Sequence, residues 1–315
     1  MLMKIEDFIK ELKEIKLIAH RFGYNMTNYP ENSFDAFKEV FKNKELLNSC
    51  DGFEFDICFT KDHEPILSHD KYIDDVTDSV GYIRNYTLEE LKNINFSFRK
   101  SLYRNEKKDY KHNVLTLEEV LTFFQDNIKL LENKIIKIET KEAYKLNKNN
   151  MLKLATIINK FPSLKNNLFH LSYWPQNLLI LKKIQKNNNL ISIKNDLLCD
   201  YKLLVYISYL FKAIDNISLR IKTSALIDID KSNTKTVNRK IFIDKLFMKF
   251  SNTIDEKLLK KVIKKYKSVG LFVLNDIKEI EVLCNKLSYE FIKESKDKLI
   301  ITTDNPLKLK NKTFQ

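Results

Sequence analysis

The chain has 315 residues, with 55 Lys and Arg against 42 Asp and Glu, a formal charge of +13, and only four glycines and five prolines. Glycine averages about 7% of residues in globular chains; here it is so scarce that neither GxGxxG nor GxxxxGK[ST] occurs, which excludes the glycine-rich phosphate loops of Rossmann-type and P-loop folds. With 43% hydrophobic and 31% charged residues the chain is not a disordered one, and its length suffices for a large α/β core.

Ile5, Phe8, Ile9, Leu12 and Ile15 are spaced as one face of an N-terminal helix. Residues 16–21 read as a short apolar strand, and 33–42 as a helix with Asn32 or Ser33 at its N-cap. Residues 52–59 alternate strictly, and 65–69 form a second short strand. Helices are expected at 87–93 and 116–126, each opened by a Thr and followed by acids. A strand at 134–141 precedes a helix running to Asn159. Further strands are expected at 169–173, 190–194, 214–219, 270–275 and 299–304, and residues 219–253 carry no readable strand. Repeated β-then-α segments predict a parallel sheet with helices outside. About eight such units favour a closed (β/α)8 barrel, with room for irregularity, over an open sheet.

Cys50, Cys58, Cys199 and Cys284 form no CxxC pair, and isolated thiols suggest a reducing, cytoplasmic setting. The first residues acquire acids at once and lack the apolar core of a signal peptide, and no apolar run is long enough to span a membrane. The positive charge suits an anionic partner, but most of it is Lys scattered through stretches such as 257–267, as on a solvated helix face.

Period two places Phe53, Phe55 and Ile57 on one face of their strand and Glu54, Asp56 and Cys58 on the other. In a barrel the apolar set meets the helices and the carboxylates point into the mouth. There their repulsion calls for a proton or a hard divalent cation; the alternative is an exposed edge. Lys137, Glu139 and Lys141 likewise share a face, with Glu139 and Lys141 at the C-terminal end where barrel active sites lie; a surface salt bridge is the bland alternative. His20 and His69 also end strands and suit an acid/base pair, whereas His63, His112 and His170 read as loop or core residues.

In order along the chain, His20-Arg21-Phe22-Gly23, Pro30-Glu31-Asn32-Ser33, Asp51-Gly52-Phe53-Glu54-Phe55-Asp56, Thr60-Lys61-Asp62 and His69-Asp70 resemble the HRG, PENT, DG-x-E-x-D, TKDG and HD motifs of the glycerophosphodiester phosphodiesterase family. Leu115 to Leu121, Ile138-Glu139-Thr140-Lys141 and Thr303-Asp304-Asn305-Pro306 resemble its PTLEEVL, EIK and TDxP motifs. The resemblance implies one TIM-barrel domain over residues 1–315, with motifs from 20 to 306, that hydrolyses a glycerophosphodiester to an alcohol and sn-glycerol 3-phosphate. It implies one divalent cation, Mg2+ or Ca2+, held by Glu54, Asp56 and Glu139. His20 and His69 would be the acid/base pair. Arg21 and Lys141 would meet the phosphate, Glu31 would support them, and Phe272 would supply an aromatic floor. In this family a neighbouring substrate hydroxyl is thought to attack phosphorus, giving a cyclic phosphate that water opens.

The chain departs from the pattern in four places: Phe22 is inserted or substituted where the family has glycine, which comes one place late as Gly23, His63 replaces the turn glycine of TKDG, Phe272 to Asn275 stand for WTVN, and Asp75 lies near a frequent Arg. The implied partner is a small glycerophosphodiester rather than nucleic acid, with no membrane span and peripheral membrane contact left open. The rival readings are a catalytically impaired barrel that binds phosphodiesters or lipid head groups, and a nucleic-acid binder suggested by charge alone. Gly23, Gly52, Gly81 and Gly270 are expected to flank the site.

Overall fold

The computed structural model describes residues 3–22, 25–74, 76–96, 112–141, 148–199, 214–220 and 256–311. Its strands are β1 (Lys16–Ala19), β2 (Gly52–Phe59), β3 (Pro65–Leu67), β4 (Ile135–Thr140), β5 (Leu168–Ser172), β6 (Lys194–Cys199), β7 (Asn216–Arg220), β8 (Val269–Phe272) and β9 (Leu299–Thr303). All except β3 are parallel neighbours in the order β1-β9-β8-β7-β6-β5-β4-β2, and β1 pairs with β2 to close the ring. The result is the expected (β/α)8 barrel, with an N-terminal helix, Ile5–Glu11, ahead of it. Closure removes both sheet edges, so every barrel strand has two hydrogen-bonding neighbours.

The short strand at 65–69 has a different role: β3 runs antiparallel to β2, outside the barrel ring, with Ile57 opposite Leu67. Behind it Ile66, Ile73, Ile83, Leu91, Phe96 and Val114 form a second small core that also takes up Cys58. Cys58 therefore leaves the carboxylate row, and its Sγ lies 3.6 Å from the Ser68 carbonyl oxygen. The strand expected at 190–194 begins where that window ends, at Lys194. The apolar pair Leu190 and Ile191 misleads because the Leu190 N–H caps the preceding helix by donating to Gln185 O, while β6 turns polar Asp196 inward. The unreadable stretch continues β7 through Leu219 and Arg220, and residues 221–255 lie outside the described residues.

Helix starts follow their capping chemistry. Ser33 caps Phe34–Lys42, and Thr87 and Thr116 each form a reciprocal capping box, with Glu90 and Glu119. Between the barrel and the helices Phe22, Phe37, Phe41, Phe53 and Phe124 stack into one aromatic layer, with Phe22 and Phe37 centroids 3.6 Å apart.

Inside, the barrel is filled in tiers. Ile18, Ile135, Phe169 and Ile300 make an apolar floor at the strands' N-terminal ends. Above them Lys137 Nζ lies 2.8 Å from Asp196 Oδ2, and Ser218 Oγ donates to the same carboxylate at 3.0 Å. Two glycines make this filling feasible. A Cβ on Gly52 would sit 2.1 Å from the Ile135 carbonyl oxygen, and one on Gly270 would sit 2.2 Å from Ser218 Oγ. Both belong to the lower and middle tiers, so they do not flank the mouth as expected; close packing, not the site, requires them.

Candidate active site

The site is built at the C-terminal ends of β1, β2, β4 and β9. Glu54 and Asp56 are inward neighbours on β2, and β4 sets Glu139 beside Asp56 by register. Each of the three carboxylates offers an oxygen within 4.8 Å of the others, and all three are buried. Lys141, just past β4, reaches back to place Nζ 2.8 Å from both Asp56 Oδ1 and Glu139 Oε1.

The cation offsets part of the repulsion. Burial, then the Asp56 and Glu139 charges, pushes the Glu54 carboxyl well above the usual range. Burial and the Asp56 charge raise Glu139 to about 7 against the pull of Lys141. For Asp56 burial acts upward, but Lys141, His69 and His20 outweigh it and the net direction is down. Burial opposes the Lys141 charge as well, yet the three carboxylates hold it well above an ordinary lysine.

His20 follows β1 and is oriented by Asp304, which follows β9: Nδ1 lies 2.6 Å from Asp304 Oδ1, leaving Nε2 on the Glu54 side at 3.8 Å. Asp304 is itself fixed. Asn275 Nδ2 donates to its Oδ2 at 2.5 Å, and the Asp304 N–H returns a bond to Asn275 Oδ1 at 2.8 Å. Burial raises the Asp304 carboxyl, but its contacts with His20 and Asn275 bring it below the ordinary range. His69 is oriented in the same manner, with Nδ1 3.0 Å from Asp70 Oδ1. With each Nδ1–H directed to a carboxylate, Nε2 is the outward nitrogen of both rings: on His20 it is open to exchange a proton, and on His69 it faces the Arg21 guanidinium.

Arg21 joins the two histidines. Its guanidinium meets His69 Nε2 at 2.7 Å and Glu31 Oε2 at 3.6 Å, and its backbone N–H donates to Glu54 Oε2 at 3.1 Å. Burial pushes the Glu31 carboxyl up, although Arg21 opposes it. Arg21 and Phe22 occupy left-handed backbone, with φ of 47° and 41°. Phe22 thus adopts the conformation for which glycine is the natural residue, and its fully buried ring in the aromatic layer holds it there. The side chain points away from the site, so the departure changes the layer behind the turn. Gly23 and Asp75 lie outside the described residues.

His63 likewise takes a left-handed turn position, φ 67°, and bonds Asn150 Oδ1 at 2.7 Å. His112 bonds the Asn113 carbonyl oxygen and His170 lies in the core beside Thr140. Phe272 sits one inward step above Gly270 and packs with Leu171, Leu198 and Tyr173, its ring edge-on to Tyr173 at 6.3 Å. His20, Arg21, Glu31, Glu54, Asp56, His69, Glu139 and Lys141 are therefore one connected cluster. Asp304, Asn275 and Asp70 complete it; each stood within a matched segment, but nothing in spacing alone assigned it to a histidine or to a second carboxylate.

A family model described as the glycerophosphoryl diester phosphodiesterase family matches residues 23–218. Glycerophosphodiester phosphodiesterase 1 of Mus musculus is 30% identical over 184 residues, 58% of this chain and 50% of that protein. The chain thus spans about half the length of that curated relative. A glycerophosphodiester phosphodiesterase of Caldanaerobacter subterraneus is 38% identical over 78 residues, 25% of this chain and 29% of that one. Among solved structures, an Oleispira antarctica phosphodiesterase in complex with the product sn-glycerol-3-phosphate superposes with a TM-score of 0.64 at 16% identity, covering 96% of this chain and 98% of that one.

Proposed function

The chain belongs to the glycerophosphoryl diester phosphodiesterase family, and from that premise we propose that it hydrolyses a glycerophosphodiester to an alcohol and sn-glycerol 3-phosphate by histidine acid/base catalysis at the mouth of a single barrel domain, residues 1–315. The observation that carries this reading is the buried trio Glu54, Asp56 and Glu139 facing two carboxylate-oriented histidines.

A hard divalent cation, Mg2+ or Ca2+, fits the trio. Its donors are all carboxylate oxygens, and Glu54 Oε1 and Asp56 Oδ2 are buried without a hydrogen-bond partner. Such polar atoms are costly to bury unless something pairs with them. Glu54, Asp56 and Glu139 would hold the ion, which would stabilise negative charge growing on the phosphoryl oxygens.

The chain's own residues do the rest. Arg21 and Lys141 supply positive charge on the phosphate, with Glu31 steadying the guanidinium. One imidazole Nε2 takes the proton of the substrate hydroxyl next to the phosphodiester. As the bond to the departing alcohol oxygen breaks, the other gives that oxygen a proton. Water then opens the cyclic phosphate with the roles exchanged. Asp304 and Asp70 keep each ring in the tautomer this requires. The complex of the Oleispira enzyme with sn-glycerol-3-phosphate supports this choice of product. Cys50, Cys58, Cys199 and Cys284 are buried thiols that form no disulfide, which fits a cytoplasmic setting. No helix among the described residues is long and apolar enough to cross a membrane.

The test is release of glycerol 3-phosphate from glycerophosphocholine. It should need Mg2+ or Ca2+, stop with a chelator and vanish in a folded His20→Ala variant. Turnover indifferent to both changes would overturn the mechanism, and a folded, metal-loaded chain that binds glycerophosphodiesters without cleaving them would mark a binding protein instead.

A further inference from the structure

At the opposite end of the barrel from the carboxylates lies a cavity of about 700 Å³, within the size range of small-molecule clefts. Its bed is apolar: Ile135, Phe169 and Ile300, three of the four side chains of the barrel floor, line it. Its rim is cationic. Lys16 enters from the start of β1, Lys194 from the start of β6 and Lys267 from just before β8, and Lys129 and Lys134 border the far side. Two carboxylates, Glu132 and Asp297, also border it, so positive charge predominates.

The lysines differ in their commitments. Lys134 is used by the fold, donating to the carbonyl oxygens of Leu47 and Cys50 at 2.8 Å each. Among the described residues no carboxylate pairs with Lys16, Lys194 or Lys267, and the Lys194 ammonium lies 4.8 Å above the Phe169 ring at the edge of the bed. A second, independent observation comes from Asn216, another lining residue, which is only 2% exposed. Its Oδ1 accepts from Ser268 Oγ at 2.8 Å, while its Nδ2 is a buried donor without a hydrogen-bond partner. A buried amide left short of an acceptor, beside several unpaired cations and over an aromatic ring, suits a ligand with anionic oxygens and a flat or apolar body.

We propose that the barrel floor is a second binding site, separate from the catalytic mouth, for a small soluble organic phosphate of nucleotide size. The apolar body lies on Phe169, Ile135 and Ile300. The phosphate oxygens meet Lys16, Lys194 and Lys267 and accept from Asn216 Nδ2. Because the rim lysines are solvent-exposed, ionic strength screens the attraction and binding weakens as salt rises.

Titration calorimetry of the full chain in EDTA, with ADP, pyrophosphate and adenosine as probes, tests this. ADP should bind tightest, pyrophosphate more weakly, and adenosine least. Lys194→Gln/Lys267→Gln should weaken ADP at least tenfold while hydrolysis of glycerophosphocholine at the mouth is unchanged. Lys141→Gln serves as the control for binding at the mouth and should leave ADP affinity intact. The rim substitutions lie on exposed side chains, and an unchanged thermal melt confirms the fold. Three results would overturn the proposal: no ADP binding at millimolar concentration, loss of binding in Lys141→Gln but not in the rim variant, or co-sedimentation with phosphatidylglycerol vesicles in the absence of ADP binding. The last would mark the floor as a membrane-facing surface.

Discussion

Replacing Phe22 separates two forces that act on one residue. The ring is fully buried and stacked at 3.6 Å on Phe37, so truncation removes a well-packed aromatic. Phe22→Ala is expected to cost about 3–5 kcal/mol. The backbone at φ 41° adds a second effect, because an L side chain in left-handed conformation costs about 1–2 kcal/mol that glycine does not bear. Glycine gives back about 0.5–1 kcal/mol of that through the greater freedom of its unfolded chain. Phe22→Gly should therefore be more stable than Phe22→Ala by about 0.5–1 kcal/mol. At Phe37, within the helix Phe34–Lys42, the order should be the ordinary one, with Ala more stable than Gly by about 1 kcal/mol. Urea unfolding at pH 7 of the four variants, read as shifts in midpoint at constant slope, makes the comparison. An Ala variant more stable than the Gly variant at position 22 would refute the idea that packing holds a strained turn. The turn also clamps Glu54, since the Phe22 N–H donates to the Glu54 carbonyl oxygen at 2.7 Å, so both position-22 variants should lose turnover as well as stability.

Asp304→Ala is expected to lower kcat by about 10²-fold or more with little change in KM, because an unoriented imidazole loses its place in proton transfer; Asn275→Ala should follow the same pattern more weakly, and a fall confined to KM would show instead that Asp304 serves binding. Lys137→Met should cost about 3–5 kcal/mol by leaving the buried Asp196 carboxylate with the Ser218 hydroxyl but without its cation, whereas Lys137→Met/Asp196→Leu should recover most of it; a double variant no better than the single one in urea unfolding would contradict the pairing. Burial depresses His170 from 6.5 to about 3, so the unfolded chain binds the proton first and stability present above pH 6.5 is lost as pH falls toward 3. Between pH 7.5 and 5 that loss amounts to about 2 kcal/mol, and the stability gap between wild type and His170→Gln should shrink by that much; a gap independent of pH would mean that His170 is not buried neutral.

Much of the site was legible because strand period and strand end coincide there. Alternation put Glu54 and Asp56 on one face of their strand, the barrel reading turned that face inward, and the end of a barrel strand placed Glu139, Lys141 and His20 where they are found. At β6 the sequence pattern points too early, to 190–194, so the inward row of Lys194–Cys199 and its carboxylate Asp196 go unread. Only a partner 59 residues earlier makes that carboxylate a core residue, and no local pattern encodes such a pairing. Asp304 was hidden for a like reason, since it acts through His20 at the other end of the chain. The glycine-like turn at Phe22 was visible as a departure, but its remedy lay in Phe37, Phe53 and Phe124, which become neighbours only when the helices close over β2.

The tier of Lys137, Asp196 and Ser218 divides the interior of the barrel. Above it the carboxylates and histidines trade charge; below it lie aliphatic side chains and the lysine-rimmed cavity. Because the lysine, the acid and the hydroxyl already satisfy one another, they form a bulkhead across which neither end needs to share solvent or protons with the other. Substitutions in the floor can then accumulate without retuning the histidines, and the residues of the mouth can change without disturbing the floor.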